Sequence, residues 1–102
     1  MFVDFTAAGC VTCQLNRRTT LGHADVLAAW RGRQVVLMRA DWTRRDPVIT
    51  DALRRLGRTG VPVYALYAPG AGSPQLLSEV LTPSEIRDAM SRWPDTIQPR
   101  LP

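Results

Sequence analysis

Lysine is missing altogether: the 13 basic residues of this 102-residue chain are all arginine, set against nine acidic ones for a formal charge of +4. That charge raises the question of nucleic acid. The arginines occur as Arg17-Arg18, Arg31, Arg33, Arg39, Arg44-Arg45, Arg54-Arg55, Arg58, Arg87, Arg92 and Arg100, spread out with acids between them and no aromatic platform beside them. A specific binder usually gathers its charge on one element, so the expectation is a solvated surface and no nucleic-acid partner. Long apolar runs are also lacking. Nothing approaches the roughly 18 residues a membrane helix needs, so no direct membrane insertion of this stretch is expected. Met1 leads into Phe2-Val3-Asp4-Phe5 without a basic start or a cleavage site, so no targeting address is expected in this stretch. A chain that enters a strand at its second residue reads as a piece of something longer, and the missing leader then says little about the parent protein. Repeats and low-complexity segments are absent as well. The 45% apolar and 22% charged content is that of one soluble globular domain, expected over residues 1–94 with a loose tail at 95–102.

What is present alternates. Phe2 to Thr6 reads as a short buried strand, closed by Ala7-Ala8-Gly9, and Cys10 to about Arg18 as a helix with the first cysteine at its N-terminus. "ADVLAAW", residues 24 to 30, continues as helix with Val26, Leu27 and Trp30 on one face. "QVVLMRAD", residues 34 to 41, is β-rich and apolar through Val35 to Met38, as expected of a central strand covered on both faces. Asp46-Pro47 starts a helix, Val48, Ile49, Ala52, Leu53 and Leu56 form its apolar stripe, and Gly57 suits its exit. "PVYALY", residues 62 to 67, is another strand, followed by a turn-rich segment and a short apolar run at Leu76-Leu77. Thr82-Pro83-Ser84-Glu85 combines a capping box with Pro at the first helical position, and Ile86, Ala89, Met90 and Trp93 follow at helical spacing. Pro94 should end that helix. Strands alternating with helices imply an α/β layer structure.

Cysteine is scarce, with only Cys10 and Cys13, and histidine scarcer, with only His23. A structural zinc site wants four ligands and is not on offer. His23, near a helix start, suits a cap or the surface, and no resident metal site is expected. Copper(I) held by the two thiolates alone stays open, as in a copper chaperone. A purely structural bridge would remove only about 2 kcal/mol of chain entropy across so small a ring. The redox reading draws on position. A cysteine at a helix N-terminus faces unpaired N–H groups that favour the thiolate, so Cys10 would be the nucleophile and Cys13, one turn further in, would resolve the mixed disulfide. Asp4, in the strand feeding the loop, would be costly if buried without a task, and proton transfer to and from Cys13 is such a task. Gly60-Val61-Pro62 opens the third strand. A cis bond there would free the Val61 backbone to pair with an extended partner, although most X-Pro bonds are trans.

Asp4 six residues before Cys10, the C-V-T-C pair, "ADWTRRDP" at 40 to 47, "GRTGVPVYALYAPG" at 57 to 70 and "LTP" at 81 to 83 together resemble the C-terminal thioredoxin-like domain of DsbD, the thiol:disulfide interchange protein of the bacterial inner membrane. The resemblance implies a thioredoxin-like fold, a central mixed β-sheet flanked by helices, with the first strand and helix of the full fold missing upstream of Met1. It implies a periplasmic protein-disulfide reductase domain. Electrons would come from a membrane-embedded domain and pass to an N-terminal periplasmic domain serving disulfide isomerases and cytochrome c maturation, with no cofactor beyond the cysteine pair. It also implies that Cys10 attacks, Cys13 resolves, Asp4 tunes their proton affinity and Pro62 is cis, with Val61, Gly9 and Thr12 beside them as partner-binding residues. There are departures. Ala8-Gly9 stand where family members usually read Asp-Trp, and Arg17 stands where an acid is common, so Arg17 is expected to favour the Cys10 thiolate. A degenerate scaffold that binds without exchange would instead show an unreactive Cys10.

Overall fold

A computed structural model describes residues 1–93. The elements in chain order are β1 (Phe2–Thr6), α1 (Val11–Asn16), a π-helical turn (Arg17–Leu21), α2 (Ala24–Gly32), β2 (Leu37–Asp41), α3 (Pro47–Arg55), β3 (Val63–Leu66), β4 (Gln75–Leu76) and α4 (Pro83–Ser91). The sheet runs β2-β1-β3-β4 and is mixed: β1 pairs parallel with β2 and antiparallel with β3, which pairs antiparallel with β4. Being internal, β1 is buried at all five positions, and its period of two sends alternate side chains into two cores. Phe2 joins Val26, Trp30, Tyr64, Ile86 and Met90 on the face covered by α2 and α4. Its ring lies 4.8 Å from that of Trp30 and 5.9 Å from that of Tyr64. Val3 and Phe5 join Trp42, Leu53, Val63 and Ala65 on the α3 face. Asp4 therefore shares the Phe2 face, below the helical layer.

Helix starts follow the side-chain chemistry of the sequence. The Asp46 carboxylate accepts from Val48 N–H at 2.8 Å, with Pro47 behind it. His23 caps α2, its Nδ1 accepting from Asp25 N–H at 3.1 Å. The Thr82 hydroxyl accepts from Glu85 N–H at 3.2 Å, but Glu85 does not close a capping box. Its carboxylate accepts instead from the Ser78 amide and hydroxyl, both at 2.9 Å, tying the loop before α4 to that helix. Gly57, at φ +76°, supplies the left-handed exit of α3.

Two further expectations are corrected. The apolar run at 35 to 38 is not a central strand: β2 lies at the sheet edge, with Val36, Leu37 and Met38 at least half exposed. Val36 C=O accepts from Phe2 N–H and Trp42 N–H donates to Thr6 C=O. Alternation along a parallel pair then turns the N–H and C=O of residues 37 and 39 outward. In the α3 stripe, Leu53 is buried but Val48 is 77% exposed, because only one side of the helix meets the sheet. α4 ends at Ser91, and Trp93 packs into the core. The expected helix stop at Pro94 and tail at 95–102 lie outside the described residues.

Candidate redox site

β1 ends on a loop that is fastened at Ala7, Ala8 and Cys10. Ala8 N–H donates to Thr43 Oγ1 at 2.9 Å, Gln14 Nε2 donates to Ala8 C=O at 2.9 Å, and Cys10 N–H donates to Ala7 C=O at 3.1 Å. The loop delivers Cys10 as the N-cap of α1 in extended conformation, its Sγ accepting from Cys13 N–H at 3.1 Å. In the reduced protein the same amide would favour a Cys10 thiolate. Cys10 and Cys13 are disulfide-bonded with their Cα atoms 5.2 Å apart. Cys10 is partly exposed, whereas Cys13 is 2% exposed. Among the described residues no group of three or more His, Cys, Asp or Glu side chains is gathered for a metal.

Cys10 opens on a groove of about 740 Å³ that also contains Gly9, Thr12, Trp42, Val61 and Pro62. Four of the residues expected around the cysteines thus meet in one place. The Val61–Pro62 peptide is cis. Val61 N–H and C=O have no hydrogen-bond partner among the described residues.

Asp4 does not line that groove; it stands in the wall of a second cavity of about 360 Å³ shared with Phe2, Trp30, Arg17 and Arg39. It is 8% exposed, and its Oδ1 is buried without a hydrogen-bond partner. Burial raises its carboxyl pKa, and the guanidinium groups of Arg39 and Arg17 oppose that rise. Arg17 also donates to Thr6 Oγ1 at 3.5 Å. Its guanidinium is therefore stationed at the Asp4 end of the site, and it does not line the groove that holds Cys10.

Several site residues escaped the sequence reading. Asn16, fully buried, donates through Nδ2 to Tyr64 Oη and to Glu79 C=O, each at 2.8 Å, and accepts from Leu81 N–H at 3.0 Å through Oδ1. It ties the cysteine helix to the loop before α4. A lone Asn inside a short helix gives no signal of this, because its partners lie more than 45 residues away. Thr43, Arg45 and Glu79 also reach the groove, and only the tertiary arrangement shows it.

A dithiol that trades its electrons needs one sulfur within a partner's reach and a second held behind it, on a scaffold that keeps both in place. The fold and this cysteine pair define the class of thiol:disulfide oxidoreductases. The family described as thioredoxin-like matches residues 1–69, and the chain belongs to it. Among solved structures it is similar to the DsbD C-terminal domain of Neisseria meningitidis in the reduced form, with a TM-score of 0.75 at 20% identity over 90% of this chain and 78% of that one. The oxidised form of the same domain gives 0.68 at 22% identity, over 89% and 78%. A thioredoxin from Thermus thermophilus gives 0.68 at 20%, over 89% and 70%. No protein of curated function matches the sequence significantly. These likenesses are of fold, and they agree with the resemblance that the sequence motifs carry.

Proposed function

We propose that the chain is a reductant relay of the DsbD type: a periplasmic domain that receives electrons from a membrane-embedded donor domain and hands them to an N-terminal periplasmic acceptor, using no cofactor but Cys10 and Cys13. No helix among the described residues is long and apolar enough to cross a membrane, so the donor would be another part of the assembly. The observation that carries the reading is the pairing of a partly exposed N-cap Cys10 with a 2%-exposed Cys13.

In the reduced state the Cys10 thiolate attacks one sulfur of the partner disulfide. A Cys10–partner bond forms, the partner's S–S bond breaks, and the other partner sulfur leaves as a thiolate. Cys13 then loses its proton and attacks Cys10 Sγ, which restores the Cys10–Cys13 disulfide and releases the second partner thiol. Two electrons leave this domain, and the partner disulfide is reduced to a dithiol. Asp4 is the proton acceptor for Cys13, and the unpaired Val61 backbone, beside Pro62, Gly9 and Thr12, holds the partner as an extended segment. Arg17 acts through Asp4: its positive charge favours the carboxylate, which is the form able to take the proton.

Trapping tests the proposal. A Cys13→Ala variant, incubated with a protein disulfide, should accumulate a mixed disulfide on Cys10 that dithiothreitol removes. Absence of that adduct, together with stoichiometric copper(I) on the reduced native chain, would replace the relay with the chaperone reading.

A further inference from the structure

The groove around Cys10 has walls of opposite charge, each fastened by contacts that the exchange chemistry does not require. On the β2 side, the turn after the strand closes with Arg45 N–H donating to Trp42 C=O at 2.9 Å. Arg45 takes φ +54°, a left-handed conformation that a non-glycine residue adopts only at a cost. The turn lays the Arg45 guanidinium 4.2 Å from the centre of the Trp42 ring. Trp42 is itself fixed, its Nε1 donating to Thr50 Oγ1 at 2.7 Å. No carboxylate lies within ion-pair distance of Arg45 among the described residues. On the β4 side stands Glu79, whose backbone is held by the buried Asn16. Its carboxylate has one cation near it, Arg58 at 4.0 Å, and both side chains are exposed, so that pair holds it weakly.

The strand order β2-β1-β3-β4 puts the turn that carries Arg45 and the loop that carries Glu79 to either side of Cys10, which follows β1, and both residues line its groove. An extended segment advances about 3.3 Å per residue, so side chains two positions before and after its own cysteine lie about 7 Å to either side. We infer that Arg45 and Glu79 read the charge order of the partner segment, selecting an acidic side chain on the β2 side of the reacting cysteine and a basic one on the β4 side. Correct order makes two attractive contacts and reversed order two repulsive ones. The inference rests on the exchange function proposed above and specifies its substrate class.

Two peptides of identical composition test it, Ala-Glu-Ala-Cys-Ala-Arg-Ala and Ala-Arg-Ala-Cys-Ala-Glu-Ala, each with its cysteine capped as the 2-pyridyl disulfide. The Cys10 thiolate of the reduced protein attacks the peptide sulfur, and the departing pyridine-2-thione is read by absorbance. At low salt one order should react about tenfold faster than the other, and high salt should narrow the gap. The Arg45→Glu, Glu79→Arg double variant should invert the preference. Arg45→Gln and Glu79→Gln should each cut it to about threefold, which keeps the test open if the double variant fails to fold. Equal rates for the two peptides, or a preference that the variants leave unchanged, would overturn the inference while exchange itself stood. A reduced wild-type protein inert even to the all-alanine analogue would overturn the exchange function, and this inference with it.

Discussion

Asp4 is the residue at which folding and chemistry conflict. A carboxylate in an internal strand with an unpartnered oxygen costs stability whenever it is charged, and burial raises its pKa for that reason. The folded state therefore holds the Asp4 proton more tightly than the unfolded chain does. Protonation contributes stability below the unfolded carboxyl pKa of about 4, and that contribution is lost as pH rises through the higher folded value. Asp4→Asn, which never ionises, should consequently be more stable than the native protein at pH 7, on the order of 1–2 kcal/mol, with the gain shrinking toward pH 4. Urea midpoints at the two pH values check this; a gain that ignores pH would mean that Asp4 is not the buried acid described here. The sequence announced this residue because an acid inside an apolar strand has few innocent explanations.

At the scale of elements, the joint between the cysteine helix and the loop before α4 depends on one side chain. Asn16 makes three hydrogen bonds with no access to water, and Thr20, further along the same helical stretch, donates to Leu81 C=O at 2.9 Å. Asn16→Ala would leave the Leu81 amide and the Glu79 carbonyl unsatisfied, a loss of about 2–4 kcal/mol, and would loosen the β4-side wall of the groove. Chemical denaturation should show that loss, and a change below about 0.5 kcal/mol would mean that water replaces the side chain at no cost. Element boundaries were readable where the signal is local. Asp46-Pro47, Thr82-Pro83 and Gly57 act through neighbours within a few residues. Glu85 shows the limit: the capping-box spacing is present, but a nearby loop amide and hydroxyl take its carboxylate.

For the molecule as a whole, the sheet has one edge of unusual character. β2 presents outward N–H and C=O groups and half-exposed Leu37 and Met38, a combination that promotes strand-to-strand association. Leu37→Lys should alter folding stability by no more than about 0.5 kcal/mol while raising the concentration at which the protein associates on mild heating. Light scattering across a concentration series checks the second effect. Unchanged scattering would show that this edge is not the adhesive one. The apolar run at 35 to 38 invited the opposite reading, a strand covered on both faces, since composition reports only that a segment is apolar and not what covers it.

By itself, the sequence determined the alternation of strands and helices, the helix starts with adjacent capping partners, the cysteine pair at a helix start and the buried acid in the first strand. Each of these depends on residues within about seven positions of one another, where bonding geometry and periodicity leave little choice. Tertiary structure alone decided which strand became the edge, that Arg17 stands beside Asp4 and outside the Cys10 groove, and that Arg45 and Glu79 both line that groove. Those outcomes come from the packing of segments far apart in the chain, and local sequence does not encode which distant surfaces will meet.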